Sequence, residues 1–326
     1  MAINFKEGRW NHEINVTDFV KTNITPYEGD ASFLAGPTER TKAVWNKCLE
    51  ALAEERANNG VRSLDPSTVS TITSFAPGYI DKENEVIVGL QTDEVLRRAI
   101  KPFGGIKVVE KACRENGMEV DPKVKDIFTH YRKTHNDGVF DAYTEEIRSF
   151  RSLGFLTGLP DNYARVRIIG DYRRLALYGI DRLIEAKQDD LRHLTGPMTD
   201  ERIRLREEVA EQIKALKEIK IMGEQYGLDL SRPAQNAQEA VQWVYMAYLA
   251  AVKEQDGTAM LLGNVSSFLD IYIEYDMAHG LLDEAHAQEL IDQFVIKLRM
   301  VRHLRMQAYT DIFAGDPTWV TESIGG

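Results

Sequence analysis

The longest regular pattern in this sequence runs from Asp200 to Tyr226 and has the period of an amphipathic α-helix. Many Glu, Lys and Arg residues separate apolar side chains that recur every three or four positions. Gly227 follows the pattern, at a place where glycine commonly ends a helix. Because such helices owe most of their stability to packing, a helix-rich globular fold is expected. The apolar stripe consists of Leu205, Val209, Ile213, Leu216 and Ile219.

Start and stop signals predict further helices. A helix from Thr38 to Asn59 is expected to end at Gly60. Asp121 is a candidate N-cap, and Pro122 then occupies the first helical position, where its missing N–H costs nothing. Asn236 is expected to cap a heavily buried helix. The apolar residues of these helices are Val44, Cys48, Leu49 and Leu52, then Val124, Ile127, Phe128 and Tyr131, then Val241, Val244, Tyr245, Tyr248 and Leu249.

A last helix is predicted around Leu290–Val301, and it finishes among positive charges that complement the helix dipole. The net charge of -11 and the pI near 5.3 argue against a nucleic-acid or anionic-lipid surface. No signal-peptide pattern and no apolar run of about 18 residues occurs. The sequence therefore predicts a cytoplasmic protein with no nucleic-acid or membrane partner. The positive charges are Arg299, Arg302, His303 and Arg305.

Strand signals are fewer. β-branched residues concentrate at Val69–Ser74 and Val86–Val88, and Phe155–Pro160 is typical of a strand edge leading into a turn. No internal repeat, low-complexity tract or flexible linker interrupts the chain. We therefore expect a single, predominantly helical α/β unit that spans residues 1–326.

No generic catalytic or metal-binding motif stands out. Cys48 and Cys113 have no paired spacing and are expected to be reduced, partly buried thiols. His130 and His135 fall on different faces of a helix, so no metal site is predicted. Gly104-Gly105 lacks the spacing and the Lys-Ser/Thr of a phosphate-binding loop.

The most suggestive stretch is Gly158–Arg174, in which four arginines and two aspartates flank Ile168-Ile169. A guanidinium beside apolar residues suits a small carboxylate, because its fork can bond both oxygens in a dry pocket. The alternative is a structural network of Arg–Asp ion pairs, which the spacing alone favours.

Blocks of sequence from about Trp10 to Gly326 carry a more specific signal than any single motif. In this order they resemble the N-terminal portion of the pyruvate formate-lyase family of glycyl radical enzymes. The blocks include Phe33-Leu-Ala-Gly, Ser70-Thr-Ile-Thr-Ser, Pro102-Phe-Gly-Gly-Ile-Lys, Leu156-Thr-Gly-Leu-Pro-Asp, Arg167-Ile-Ile-Gly-Asp-Tyr-Arg-Arg, Lys297-Leu-Arg-Met-Val-Arg and Thr321-Glu-Ser-Ile-Gly-Gly.

The resemblance implies the N-terminal half of a ten-stranded α/β barrel wrapped in helices. Members of this family are cytoplasmic homodimers that convert pyruvate and coenzyme A (CoA) to acetyl-CoA and formate. CoA is a co-substrate, and no tightly bound cofactor is expected. A radical-SAM activating enzyme installs a radical on a glycine. That glycine and a pair of adjacent catalytic cysteines belong to the C-terminal part of the family.

The resemblance also assigns substrate-binding residues by motif position. Arg167 matches the arginine that grips the pyruvate carboxylate, and Phe313 and Trp319 match aromatic walls of the same pocket. Thr258 stands where the family usually has a small pocket-lining residue.

A second set of residues is expected near a surface site for the CoA nucleotide. It consists of Asn136, Phe140 and Arg151. An aromatic ring there can stack on adenine, and an arginine can meet phosphate.

The chain departs from the family pattern in the block Met260-Leu-Leu-Gly-Asn264, where Met-Ser-x-Gly-Arg is usual. Leu261 and Asn264 are the changed residues, and Tyr275 stands where arginine is common. These changes either alter substrate preference or repack local structure.

Adjacent cysteines and an Arg-Val-Ser-Gly-Tyr loop do not occur in these 326 residues. No catalytic residue is therefore assigned, and the chain is expected to be inactive alone. One hypothesis is a formate C-acetyltransferase completed by a C-terminal half. The alternatives are a non-catalytic docking module of a split enzyme and a relative that acts on 2-ketobutyrate.

Overall fold

The computed structural model describes residues 3–100, 105–131, 143–156, 168–254, 260–312 and 320–322. Helices dominate these ranges. In chain order they are α1 (Val16–Asn23), α2 (Glu39–Ala57), α3 (Gly105–Glu115), α4 (Pro122–Asp126), α5 (Glu145–Ser152), α6 (Arg173–His193), α7 (Asp200–Gln225), α8 (Ala237–Glu254), α9 (Ser266–Ala278), α10 (Glu284–Arg299) and α11 (Gln307–Ile312). Short 3₁₀ turns lie at Arg9–Asn11 and Ala31–Phe33, and a π turn at Ile127–Tyr131.

The strands of the described ranges form two sheets in which every pairing is parallel. A two-stranded sheet joins β1 to β2, and a three-stranded sheet has the order β3-β4-β5. Parallel neighbours need long crossover connections, which the intervening helices supply. The strands are β1 (Ser63–Val69), β2 (Arg97–Ile100), β3 (Ile168–Ile169), β4 (Met260–Gly263) and β5 (Thr321–Glu322).

Local capping signals were reliable guides to helix starts. Thr38 caps α2 by accepting the N–H of Thr41, and Asp121 caps α4 by accepting the N–H of Lys123. The predicted apolar face of α2 is only partly correct, because Leu49 is 47% exposed. Val44 and Cys48 on the same helix are fully buried.

Helix α8 is the centre of the largest hydrophobic core. Asn236 Oδ1 accepts the N–H of Glu239 at 2.8 Å, which confirms the predicted cap. A second cap comes from another helix, since Asp276 Oδ2 of α9 accepts the N–H of Ala237 at 2.7 Å. The residues predicted to be buried are all at most 1% exposed: Val241, Val244, Tyr245, Tyr248 and Leu249.

Helix α7 confirms the long amphipathic pattern and packs against α6 and α8. Thr199 caps it by accepting the N–H of Arg202. Val209 is 6% exposed, whereas Leu205 is 43% exposed. The buried part of the stripe therefore begins about one turn later than the sequence suggested.

Gly179 interrupts α6 with non-helical dihedral angles, φ 70° and ψ 164°. The N–H of Ile180 bonds the carbonyl of Leu230 at 2.9 Å, and the N–H of Ala234 bonds the carbonyl of Ala176 at 2.8 Å. These two hydrogen bonds join the segment before α8 to α6 on both sides of the break. A side chain at Gly179 would collide with this segment, so glycine is required here.

Two strand predictions are wrong. Strand β1 ends at Val69, where the predicted strand began, and a turn follows it. Val86–Val88 bends and pairs with no strand of the described residues, and two glutamine side chains bind its backbone instead. Gln293 Oε1 accepts the N–H of Val86 at 2.7 Å, while Gln242 Oε1 accepts the N–H of Val88 at 2.7 Å. Of Phe155–Pro160, residues 155 and 156 are described, and they form no strand.

The cations predicted for the last turn of α10 lie mostly beyond the helix, which ends at Arg299. Arg302 is 3% exposed and bonds both carboxylate oxygens of Glu55, at 2.8 and 3.1 Å. It also donates to the carbonyl of Arg299 at 3.0 Å, so it satisfies a free carbonyl group at the C-terminal end of α10. His303 and Arg305 are buried as well, which means these residues form no surface patch.

Among the described residues, no helix is both long enough and apolar enough to cross a membrane.

Candidate functional site

The three-stranded sheet brings together three distant segments of the chain. Ile168 pairs with Met260 and Ile169 with Leu261, so β3 and β4 run in register. Leu261 also pairs with Thr321 of β5. Because parallel strands start at the same edge of a sheet, the starts of all three strands meet at one edge. We call this the strand-start edge.

The residues predicted to bind the keto acid lie outside the described residues. They are Arg167, Thr258, Phe313 and Trp319. In the sequence, however, three of them closely precede a strand of this sheet. Arg167 comes directly before β3, Thr258 two residues before β4, and Trp319 two residues before β5.

The two faces of β4 differ in their surroundings. Met260 and Leu262 are 0% and 2% exposed and belong to the core around α8. Leu261 lies between them and is only half-buried, although it sits on the central strand. A Cβ built on Gly263 would meet nothing within 4 Å. One face of the sheet is therefore packed by helices, and the other is open in the described part of the chain.

The opposite edge of the sheet is held by a polar network. Arg173 Nε donates to Asp171 Oδ1 at 2.7 Å, and Arg173 also donates to the carbonyl of Asn264 at 3.0 Å. Asn264 Oδ1 accepts the N–H of Ser267 at 3.2 Å at the start of α9. For the Asp171 end of the Arg/Asp-rich stretch, the structural-network interpretation is therefore confirmed.

Glu322 ends β5 at the same edge. Burial raises the pKa of its carboxyl group, although a hydrogen bond from the N–H of Ser266 acts in the opposite direction. The acid thus ties β5 to the first residue of α9. This glutamate belongs to none of the predicted sites.

The departure at Tyr275 has a local explanation. Its ring stacks on His279 with centroids 4.1 Å apart and meets the edge of Phe5 at 5.9 Å. Phe5 in turn contacts Phe19 and Tyr272. Tyr275 therefore belongs to the aromatic cluster that anchors the start of the chain. Asn264 also has a structural role, because its side chain accepts the N–H of Ser267 at the start of α9. Leu261 is therefore the described departure on the open face.

A buried cation at the end of α8 was also missed by the sequence analysis. Lys253 is 2% exposed, and burial lowers the pKa of its amine to about 8. Ser70 Oγ donates to the backbone carbonyl of Lys253 at 2.7 Å, and Glu254 accepts the N–H of Ile72 at 3.0 Å. The available signal was a charged residue directly after Ala250-Ala-Val252, near the end of a mostly apolar helical run.

Three residues were predicted to bind the CoA nucleotide. Arg151 lies within the described ranges, whereas Asn136 and Phe140 lie outside them. Its guanidinium carbon sits 5.3 Å from the ring centroid of Tyr143. Arg148 is exposed on the same helix, α5. The assignment of Arg151 to the CoA nucleotide stays a prediction.

Both cysteines are free, as predicted, but they are fully buried and not partly buried. Burial raises the pKa of the Cys48 thiol to about 12 and also raises the pKa of the Cys113 thiol. Neither is a ready thiolate at neutral pH. Within the described ranges, no cluster of His, Cys, Asp or Glu could hold a metal ion.

Two solved structures illustrate the likeness of the fold. The glycerol-bound form of the B12-independent glycerol dehydratase from Clostridium butyricum matches with a TM-score of 0.62 and 16% identity. It covers 90% of this chain and 43% of that one. A structure concerned with 1,2-propanediol dehydration in Roseburia inulinivorans matches with a TM-score of 0.59, 17% identity and the same coverage. These likenesses confirm the predicted fold class, a predominantly helical part of the glycyl radical enzyme barrel.

Sequence comparison is more specific. The formate acetyltransferase of Haemophilus influenzae is 55% identical over 327 residues, which is 99% of this chain and 42% of the relative. The chain thus spans less than half the length of that relative. The family model for pyruvate formate lyase-like proteins matches residues 9–326. This chain therefore belongs to the pyruvate formate lyase-like family.

Proposed function

We propose that this chain is the N-terminal, keto-acid-binding part of a formate C-acetyltransferase, which converts pyruvate and CoA to acetyl-CoA and formate. The observation that carries the proposal is the 55% identity to the Haemophilus formate acetyltransferase across 99% of the chain. The adjacent cysteines and the radical glycine that this chemistry needs lie outside these residues, so the chain by itself is inactive.

In this proposal the substrate carboxylate binds beside the strand-start edge. Arg167 bonds both carboxylate oxygens, which orients the keto acid and stabilises its charge in a dry site. Phe313 and Trp319 exclude water from the reacting carbons, and Thr258 limits the space beside them. The register of β3, β4 and β5 supports this arrangement, because it gathers the strands that begin within two residues of Arg167, Thr258 and Trp319.

CoA enters as a co-substrate at a separate surface. Arg151 would meet a phosphate group, with Asn136 and Phe140 binding the rest of the nucleotide. The position of Arg151 supports this role, since its guanidinium on α5 lies 5.3 Å from the ring centroid of Tyr143, which directly precedes the N-cap of that helix.

The proposed whole protein is a cytoplasmic homodimer without a tightly bound cofactor. Its partners are a radical-SAM activating enzyme and the polypeptide that carries the cysteine pair and the radical glycine. That polypeptide is either the continuation of this chain or a C-terminal half supplied in trans.

The test is steady-state kinetics of the complete, radical-activated protein. We expect Arg167→Ala to lower kcat/KM for pyruvate by about 100-fold or more, because it removes the charge partner of a buried carboxylate. Arg151→Ala should raise the KM for CoA and leave the KM for pyruvate unchanged. Normal pyruvate turnover by the Arg167→Ala protein would contradict the proposed role.

A matched control lies in the same block of sequence. The side chain of Arg174 is 52% exposed, and its Nε lies 3.7 Å from Asp171 Oδ2, a long distance for an ion pair. We expect Arg174→Ala to stay within about twofold of the wild type, because exposed ion pairs contribute little.

A further inference from the structure

Leu261 has an unusual position for a large apolar side chain in a parallel sheet. It lies in the middle of the three-stranded sheet, paired with Ile169 on one side and Thr321 on the other. A residue on a central strand is normally covered on both faces in such sheets. Leu261 is nevertheless only half-buried.

The alternation along β4 shows which face Leu261 occupies. Side chains of a strand point alternately to opposite faces. Met260 and Leu262 contribute to the core around α8, and Leu261 therefore belongs to the opposite face. Gly263 has open space around it as well.

The sheet also changes register beside this residue. Leu261 pairs with Thr321 but Gly263 pairs with Glu322, so β4 has one more residue than β5 over this step. Gly263 accommodates the bulge with φ +73°. Such bulges redirect side chains and are frequent next to binding sites.

We propose that Leu261 lines the keto-acid chamber and limits the size of the acyl group that the site accepts. This inference rests on the proposed function, because it assigns the open face of the sheet to the pocket of Arg167. The isobutyl group fills space that a small side chain would leave free. It therefore favours the methyl group of pyruvate over the ethyl group of 2-ketobutyrate.

The first test compares two keto acids in the complete, radical-activated protein. One methylene group in an apolar pocket changes kcat/KM by about 10- to 200-fold. We expect Leu261→Ala to raise the ratio of kcat/KM for 2-ketobutyrate to that for pyruvate by about tenfold. A ratio within twofold of the wild type would overturn the role of Leu261.

Leu262→Ala is the matched control, because it removes the same atoms from the neighbouring position. Leu262 is 2% exposed in the helical core, so its truncation should lower the thermal midpoint and leave the ratio within twofold. An equal change of the ratio in both variants would show that general loosening, not the chamber wall, is responsible, and would overturn the inference.

The proposed function fails separately. A wild-type protein that carries its radical but turns over neither keto acid would reject the function, and the inference with it. A wild-type protein that is active, together with an unchanged ratio in Leu261→Ala, would reject only the inference.

A second measurement reports the location of Leu261 without turnover. In the complete protein, L261C should react with a small methanethiosulfonate reagent, and pyruvate should slow the reaction. L262C should stay unreacted until the protein unfolds, as judged by peptide mass spectrometry. Equal protection of both positions in the absence of pyruvate would contradict an open face at Leu261.

Discussion

Lys253 places its amine in the buried, water-free interior of the protein. Its side chain is buried at the end of the apolar helix α8, and no ion pair to its amine occurs among the described residues. Desolvation lowers the pKa of the amine from 10.5 to about 8, and the nearby Glu254 only partly opposes this shift. The folded state therefore holds the proton less tightly than the unfolded chain does.

This shift predicts a pH-dependent stability. Below about pH 8 the amine is charged in both states, and the full cost of its burial is present. As the pH rises from about 8 towards 10.5, the folded state loses the proton first and the cost disappears. Near pH 7 we expect Lys253→Met to raise the free energy of unfolding by up to about 3 kcal/mol, measured by urea unfolding. The difference should shrink towards pH 10.

The exposed Lys214 provides the control, since its side chain is 63% exposed. Lys214→Met should leave the free energy of unfolding unchanged within about 0.5 kcal/mol at each pH. A Lys253→Met difference that stays constant from pH 7 to pH 10 would contradict the assigned shift.

At the scale of elements, the break in α6 is where one glycine decides how two segments fit together. A Cβ on Gly179 would lie 2.4 Å from the carbonyl carbon of Arg232 and 2.6 Å from the carbonyl oxygen of Ser231. Both contacts are with backbone, which cannot rotate away. The segment that is hydrogen-bonded to α6 leads directly into α8, so its position controls how that helix packs in the core.

We expect Gly179→Ala to cost about 3 kcal/mol or more in the free energy of unfolding, from the positive φ together with the clash. Gly60→Ala is the matched control, since Gly60 has φ +87° and nothing within 4 Å of a built Cβ. It should cost only about 1 kcal/mol. Urea unfolding followed by circular dichroism measures both, and equal costs would show that the close approach at Gly179 does not exist.

At the scale of the whole molecule, the described residues form separate hydrophobic clusters of different size. The large core surrounds α8. Cys113 lies in a second cluster with β1, α3 and α4, and Cys48 lies in a third between α2 and the end of α10. Each thiol therefore reports on the packing of its own cluster.

We expect both thiols to be unreactive towards a chromogenic disulfide reagent at pH 8 in the native chain, and two thiols to react after denaturation. Partial unfolding of one cluster would expose one thiol before the other. Rapid reaction of either thiol without denaturant would mean that its cluster is open in solution.

Local sequence was a good guide wherever the determining contacts were local. Thr38, Asp121 and Asn236 cap their helices as expected, because an N-cap bonds an amide only two or three residues away. It was a poor guide to Val86–Val88. That segment is held by glutamines more than 150 residues away in the chain, so no neighbouring residue reveals their hydrogen bonds.

The sequence by itself thus determined helices α2, α4, α7, α8 and α10, the buried face of α8 and, through its ordered blocks, membership of the pyruvate formate lyase-like family. The residues assigned to the keto acid remain predictions, because the described ranges do not include them. Only the tertiary structure decided that β3, β4 and β5 lie side by side, that Arg302 and Lys253 are buried, and that Leu261 faces away from the helical core. The physical reason is that strand pairing, desolvation and face selection depend on contacts between distant segments, and those contacts exist only once the chain has folded.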